Sequence, residues 1–91
     1  MNQVVNFGLE ELQIDMRSGS DSRRIGDLRD IEEESGARIL AIKHRDDSFN
    51  VSPSEQDEVV AGDSLIVLGS LAQVRRMESL IHEPGDPRIR D

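Results

Sequence analysis

The sequence predicts a small α/β (α+β) domain, with a four-stranded sheet, two helices packed on it, and the order β-α-β-β-β-α. Three observations favour this class. Residues 9–16 alternate between apolar and polar side chains, as a half-buried strand does. Residues 37–43 and 64–69 are short apolar runs typical of central strands. Residues 23–35 and 71–81 repeat apolar side chains at helical spacing. One small sheet leaves apolar surface uncovered, so we expect a dimer.

Composition limits the possible functions of this chain. Its 91 residues are enough for one domain with one modest core, and the net charge of −8 opposes binding to nucleic acid or to anionic lipid. The absence of cysteine excludes disulfides, thiolate nucleophiles and Cys-ligated zinc. The chain has no apolar run long enough to span a membrane and no signal-peptide pattern. We therefore expect a soluble, cytoplasmic domain with no direct membrane insertion.

The first strand and the first helix follow from side-chain spacing. On residues 9–16, the spacing predicts that Leu12, Ile14 and Met16 share the buried face. The helix over 23–35 is predicted to begin at a cap provided by Ser22 or Asp27 and to end at the left-handed residue Gly36. Its apolar stripe consists of Ile25, Leu28 and Ile31.

The second half of the chain reads as three strands and a helix. Residues 37–43 predict a strand covered on both faces, which a polar turn joins to a short strand over 49–51 that ends at Ser52-Pro53. Residues 54–63 are predicted to form a loop that closes with a Gly62-Asp63 turn before the strand over 64–69. A capping box formed by Ser70 and Gln73 then starts a helix. Its stripe is Leu71, Val74, Met77 and Ile81, and Pro84 and Pro87 end it.

Few residues suggest chemistry. None of the common hydrolase, nucleotide-binding or zinc motifs occurs, and the chain is predicted not to be an enzyme. Asp46, Ser48 and Asn50 resemble the start of a calcium loop, but Val51 stands where that loop needs glycine, so a hairpin turn is expected. Glu32, Glu33 and Glu34 form either a solvated acidic face or a metal site shared across a dimer.

The order of these features resembles the C-terminal RCK domain, also called the TrkA-C domain. The segments "IGDLRDIEEESGARILAIKHRDD", "NVSPSEQDEVVAGDSLIVLGS" and "LAQVRRMESL" carry the resemblance, and the residues that mark its turns and junctions are Gly36, Pro53, Gly62, Asp63 and Gly69. The resemblance covers residues 9–82, with 1–8 as a leader or linker and 83–91 as a flexible tail.

The resemblance implies a regulatory role. Such domains are dimeric cytoplasmic modules of potassium channels, potassium uptake systems and cation/proton antiporters. Their expected partners are a second copy and a membrane-embedded transport subunit. Some members bind cyclic di-AMP in a cleft at the dimer interface, and others bind calcium or another cation.

The resemblance also points to candidate ligand-binding residues, namely Asp30, Ile31, Arg38, Ile39 and Leu40. Glu32 stands where a basic residue is expected, and Arg38 where Asn is expected. The alternative is a structural dimerisation domain without a ligand.

Overall fold

A computed structural model of the chain describes residues 7–14 and 22–82. These residues contain six strands, two α-helices and a short 3₁₀ segment. In chain order they are β1 (Gly8–Gln13), β2 (Ser22–Arg24), a 3₁₀ segment (Ile25–Leu28), α1 (Arg29–Ser35), β3 (Arg38–Lys43), β4 (Phe49–Val51), β5 (Glu58–Val60), β6 (Ser64–Gly69) and α2 (Leu71–Ile81). The predicted fold class is confirmed, and β2 and β5 are additional strands.

The main sheet has four strands in the order β1-β6-β3-β4, and every neighbouring pair is antiparallel. The two apolar segments predicted as central strands are β3 and β6, and both lie inside the sheet. Strands β2 and β5 form a separate antiparallel pair. Long apolar strands are therefore placed where they gain a neighbour on each side.

The inner face of the main sheet carries the core. On β6, Leu65 and Val67 are fully buried, and their cross-strand partners Leu12, Ile39 and Ile42 lie on the same face and are buried as well. Helix α2 packs on β6 and β1, and α1 packs on α2. The buried apolar cluster consists of Leu12, Ile14, Ile25, Leu28, Ala37, Ile39, Ile42, Val59, Leu65, Val67, Val74, Met77 and Ile81.

The outer face of the main sheet is apolar, and no helix of residues 7–14 and 22–82 covers it. Leu68 on β6 pairs with Leu9 on β1 and with Arg38 on β3, and both leucines are exposed. A register shift between Ile39 and Ala41 adds Leu40 as an extra residue, a β-bulge. Of the eight exposed large apolar side chains among the described residues, five belong to this sheet: Leu9, Leu40, Phe49, Val51 and Leu68. The prediction that β3 is covered on both faces is therefore wrong for a single chain.

The first predicted helix is shorter than its apolar spacing suggests. Ser22–Arg24 is strand β2, and the next four residues form the 3₁₀ segment, so α1 begins only at Arg29. The N–H groups of Ile25 and Gly26 donate to the carbonyls of Asp57 and Glu55, which holds this segment against the loop before β5. Neither predicted cap is correct, because no side chain caps the 3₁₀ segment or α1.

The end of α1 was predicted correctly. Gly36 has φ +86° and its N–H donates to the Glu32 carbonyl. A left-handed residue is needed here, and a Cβ at Gly36 would lie 2.7 Å from Nε2 of Gln73. The glycine therefore permits both the chain reversal and the close approach of α2.

Part of the predicted loop over 54–63 is strand β5. Val59 is fully buried between exposed Glu58 and Val60, and β5 pairs with β2. Three residues are too few for the alternating pattern to stand out in the sequence. The Gly62-Asp63 turn is confirmed, because Gly62 has φ +95° and the Asp63 carboxylate accepts the Val60 N–H at 3.0 Å.

Helix α2 has the predicted capping box. Ser70 Oγ accepts the Gln73 N–H at 3.2 Å, and Gln73 Oε1 accepts the Ser70 N–H at 2.9 Å. Val74, Met77 and Ile81 are buried as predicted, but Leu71 is 63% exposed. At about 100° per residue, Leu71 lies roughly 90° from the centre of that stripe. The predicted contributions of Met16, Pro84 and Pro87, the tail over 83–91 and the first six residues of the leader predicted over 1–8 lie outside the described residues. Gly8, the last residue of that predicted leader, begins β1.

Candidate ligand-binding site

The junction between α1 and β3 contains the predicted ligand residues. Gly36 ends α1, and β3 begins two residues later at Arg38. The N–H of Ala37 donates to Ser35 Oγ at 3.1 Å, and this bond fixes the short connection. This short connection places α1 beside the first residues of β3.

The first half of β3 extends past its neighbour β4. Strand β4 pairs with Ala41, Ile42 and Lys43 only, and beyond it the Ser52 N–H donates to the Leu40 carbonyl. The next N–H at this edge, that of Ile39, donates to Glu32 Oε2 at 2.7 Å. A carboxylate from α1 therefore provides the acceptor that a longer β4 would have supplied.

The same carboxylate holds an arginine. Glu32 Oε1 accepts from Arg29 Nη1 at 2.7 Å, and Glu32 is only 4% exposed. This hydrogen bond, followed by the charges of Glu32 and Glu55, raises the pKa of Arg29 above its ordinary value, although partial desolvation opposes the shift. The second acidic neighbour is more distant, with Arg29 Nε 3.8 Å from Glu55 Oε2. Glu32 thus has a donor on each carboxylate oxygen.

The five predicted ligand residues do not converge in a single chain. Asp30 is exposed on α1, and Ile31 is half-buried against the core. Ile39 faces inward and is 8% exposed, whereas Arg38 and Leu40 face the outer side of the sheet. Only the last two share one surface of the single chain.

The predicted metal candidates also separate. Glu32 is turned inward to Arg29 and Ile39, and Glu34 Oε2 accepts from Arg76 Nη2 at 2.8 Å. Within residues 7–14 and 22–82, no three His, Asp or Glu side chains are grouped closely enough to hold an ion. A cation site at Glu33 would therefore need ligands from outside one copy of this region.

A shallow polar pocket of about 190 Å³ lies at the opposite end of β3, around Lys43 and His44. The Lys43 ammonium is 3.6 Å from Glu11 Oε2 and 3.7 Å from Asp47 Oδ1, and His44 Nδ1 is 3.4 Å from Asp63 Oδ2. The Lys43 ammonium and the His44 imidazole therefore each lie within 4 Å of a carboxylate oxygen. None of the five predicted ligand residues lines this pocket.

The five residues that mark the turns and junctions of the family resemblance all have structural roles in the fold. Gly36 and Gly62 have positive φ, Asp63 closes the turn before β6, and Pro53 is buried after β4. Gly69 lies against Ala37 and Gln73, where a Cβ would come within 3.3 Å of both side chains. These residues define turns and helix–sheet contacts of the fold.

Sequence reasoning assigned Glu32 to a solvated acidic face or to a metal site shared across a dimer, and it did not single out Arg29; the structure buries Glu32. The signal was available in the spacing, because Glu32 follows Leu28 by four residues and precedes Ser35 by three. All three are buried, so the carboxylate lies on the buried side of α1. An acidic residue on the buried stripe of a helix indicates that hydrogen-bond donors lie close to its carboxylate in the folded chain.

This arrangement defines a class of small α+β domains with a four-stranded antiparallel sheet and two helices. The TrkA-C domain family model matches residues 9–82, and the chain belongs to that family. No curated protein sequence matches the chain.

Solved structures give the same fold. The RCK C domain of the potassium transport protein KtrA, in complex with cyclic di-AMP, is 32% identical with a TM-score of 0.68, over 82% of this chain and 84% of that one. The RCK_C dimer of BusR from S. agalactiae, also with cyclic di-AMP, is 26% identical with a TM-score of 0.68, over 84% and 97%. The GsuK channel shares the fold at 19% identity and a TM-score of 0.69, and this chain spans 14% of it.

No helix within the described ranges, 7–14 and 22–82, combines the length and the apolar character that a bilayer crossing requires.

Proposed function

We propose that this chain is a cytoplasmic ligand-sensing and dimerisation module of a potassium channel, a potassium uptake system or a cation/proton antiporter. The observation that carries the proposal is family membership over residues 9–82, together with 32% identity to the KtrA domain that binds cyclic di-AMP. A ligand that prefers one arrangement of two copies would shift the population of that arrangement, and an attached transport subunit would respond.

The outer face of the main sheet is the proposed contact between two copies. Its exposed side chains Leu9, Leu68 and Val51 form an apolar surface flanked by Arg38 and by Glu11. In a two-fold arrangement each patch meets itself, so an arginine of one copy can face a glutamate of the other. BusR, a relative of this chain, forms an RCK_C dimer.

The size of this face predicts a weak contact. Strand spacing and rise give the face a flat area of roughly 400 Å², about half of the ~800 Å² that each partner contributes to a standard interface. The net charge of −8 also makes two copies repel. We therefore expect a micromolar dimer that strengthens as added salt screens the repulsion. Light scattering at rising concentration tests this, and a monomer at high micromolar concentration contradicts it.

Such a dimer would bring together two copies of Arg38 and Leu40, which already share the outer face. Cyclic di-AMP carries two phosphates, and one guanidinium from each copy would match them. The proposed ligand is therefore cyclic di-AMP at the dimer interface, with Asp30, Ile31 and Ile39 contributing from α1 and β3. A cation such as calcium is the other ligand class, held by carboxylates of both copies.

Thermal denaturation tests the ligand. A ligand that binds only the folded state stabilises it by about 2.7 kcal/mol at a concentration 100 times its dissociation constant. We expect cyclic di-AMP to raise the melting temperature, and Arg38→Ala to abolish the shift. Arg45→Ala is the matched control, because Arg45 is exposed at the far end of the β3 hairpin. Equal shifts in both variants would place the ligand elsewhere.

A structural dimerisation domain without a ligand is the second candidate. One observation favours it, namely that Glu32 already satisfies the Ile39 N–H and the Arg29 guanidinium. The absence of any shift with cyclic di-AMP and with calcium, in a chain that still dimerises, would support this alternative.

A further inference from the structure

The polar pocket at the far end of β3 lies on the outer side of the main sheet. Its most deeply buried lining residue is Ser64, which the register places between Gln13 on β1 and Lys43 on β3. These three residues lie on the outer face, because Leu65, the next residue of β6, is fully buried on the inner face. The pocket is therefore separate from the α1–β3 junction.

The Ser64 side chain lines this pocket without a partner of its own. Ser64 is 7% exposed, and within residues 7–14 and 22–82 no hydrogen bond joins its hydroxyl to another residue. A serine hydroxyl can donate one hydrogen bond and accept others, and buried polar groups in folded proteins nearly always have a partner. The partner of this hydroxyl is therefore expected among the molecules that enter the pocket.

The Lys43 ammonium is held only loosely by its two carboxylates. Its Nζ atom is 3.6 Å from Glu11 Oε2 and 3.7 Å from Asp47 Oδ1, whereas a charge-assisted hydrogen bond between such groups is about 2.7–2.9 Å long. The side chain is 30% exposed, so solvent molecules reach it. The ammonium therefore keeps N–H donors for a further acceptor in the pocket.

The composition of the pocket wall limits the kind of ligand. No lining residue has an apolar or aromatic side chain, and the formal charges of Lys43 and Arg45 balance those of Glu11 and Asp47. The volume of about 190 Å³ is below the roughly 300 Å³ at which drug-sized pockets begin. A small anion would meet two carboxylates here, and a small cation would meet the lysine. A small molecule that carries both charges can place each one beside its opposite.

We propose that this pocket binds a small zwitterion, of the class of free α-amino acids with short side chains. The ligand carboxylate accepts hydrogen bonds from the Ser64 hydroxyl and the Lys43 ammonium, and the ligand ammonium donates to the Glu11 and Asp47 carboxylates. The site is independent of the proposed cyclic di-AMP site, because the residues predicted for that ligand do not line it.

Glycine is the probe for this site, titrated into the full chain at constant ionic strength and neutral pH. Acetate and methylamine are the comparison ligands, since each carries one of the two charges of glycine. The readout is the ¹H–¹⁵N shift of the amide of residue 64. We expect a saturable shift with glycine and an affinity at least about tenfold higher than for either comparison ligand, because a hydrogen bond to a charged group is worth a factor of this order.

Two variants assign the binding to the named side chains. Ser64→Ala removes the hydroxyl, and Lys43→Met removes the ammonium but keeps a stem of similar length, so each should weaken glycine binding about tenfold. Ser79→Ala is the matched control, because it removes a serine hydroxyl from the exposed side of α2 and should leave glycine binding unchanged.

Three results would overturn the proposal. The absence of a saturable shift with glycine would mean that the pocket holds only water. Acetate that binds as tightly as glycine would make it an anion site. Ser64→Ala and Lys43→Met that both bind glycine as tightly as the unchanged chain would place the ligand elsewhere. Each of these results is distinct from a failure of cyclic di-AMP to raise the melting temperature, which would leave the zwitterion site standing.

Discussion

The two faces of the main sheet are built from the same kinds of residue but have opposite surroundings. On β6, Leu65 and Val67 are fully buried beneath the helices, whereas Leu68, one residue beyond Val67, is 39% exposed on the other side. The difference shows that apolar character alone does not identify the core. The inner face holds the fold together, and the outer face remains available to a partner.

The largest effect that tests this comparison is expected at Leu65. Replacing it with alanine removes buried methyl groups and leaves a cavity, so the free energy of unfolding should fall by about 2–5 kcal/mol. Leu68→Ala on the same strand is the matched control and should change the monomer by less than about 1 kcal/mol, because Leu68 is already partly exposed. Urea denaturation at low protein concentration measures the free energy of unfolding of both variants. Equal losses would mean that the outer face is also part of the monomer core.

The second effect concerns association. Leu68→Asp places a charge in the middle of the outer face, and desolvating that charge opposes the dimer. The dimer dissociation constant should rise at least about tenfold, which corresponds to about 1.4 kcal/mol. Leu71→Asp is the control, since Leu71 is exposed on α2 outside the sheet. Sedimentation or light scattering measures the constant. If the control weakens the dimer as much as Leu68→Asp does, the contact is not on the outer face.

A smaller loss of stability is expected from removing the N-cap of α2, the helix that covers the inner face. Ser70→Ala removes the acceptor of the Gln73 N–H and should destabilise the chain by about 1 kcal/mol. Ser79→Ala lies on the exposed side of the same helix and should have no effect or a slightly stabilising one, because alanine favours helix. Thermal melting of both variants provides the test, and a neutral Ser70→Ala would show that the cap does not hold α2 in place.

The smallest effect is a pH dependence at the polar end of the inner face. Hydrogen bonds from the Asn50 side chain and the Ser54 N–H lower the pKa of Asp57. A lowered pKa in the folded state stabilises the protein above the unfolded pKa of about 3.9, and this stabilisation is lost as pH falls through the folded value. Asp57→Asn should therefore melt earlier at pH 7, and the difference should vanish in acid. A difference independent of pH would exclude this linkage.

Long-period patterns in the sequence were sufficient to predict the main sheet. Runs such as 64–69 bury the same face over several residues, and Ser70 and Gln73 specify a helix start by themselves. Strands β2 and β5 were not predicted because each has three residues and, among the described strands, pairs only with the other, so neither has a local pattern. The start of α1 was not predicted for a related reason, since the N–H groups of Ile25 and Gly26 form hydrogen bonds to residues about thirty positions away in the sequence.

The candidate site was harder to predict than the fold. The resemblance selected residues around α1 and β3, and Arg38 and Leu40 do lie on one surface. The hydrogen bond from the Ile39 N–H to Glu32 depends on where β4 ends and on how α1 packs beside β3. Both are features of the tertiary structure that local sequence patterns do not specify. Sequence reasoning assigned Glu32 to a solvated acidic face or to a metal site, and only the folded chain shows that it is buried and which donors it meets.

The extra residue in β3 has a further consequence for how the strand tolerates change. From Lys43 back to Ala41 the side chains alternate in one phase, and Leu40 shifts that phase, so that Ile39 enters the core and Arg38 leaves it. Deleting Leu40 would remove the extra residue and restore simple alternation, which leaves Ile39 facing inward and Arg38 facing outward. The bulge therefore lets β3 carry one more residue without exchanging its buried and exposed faces.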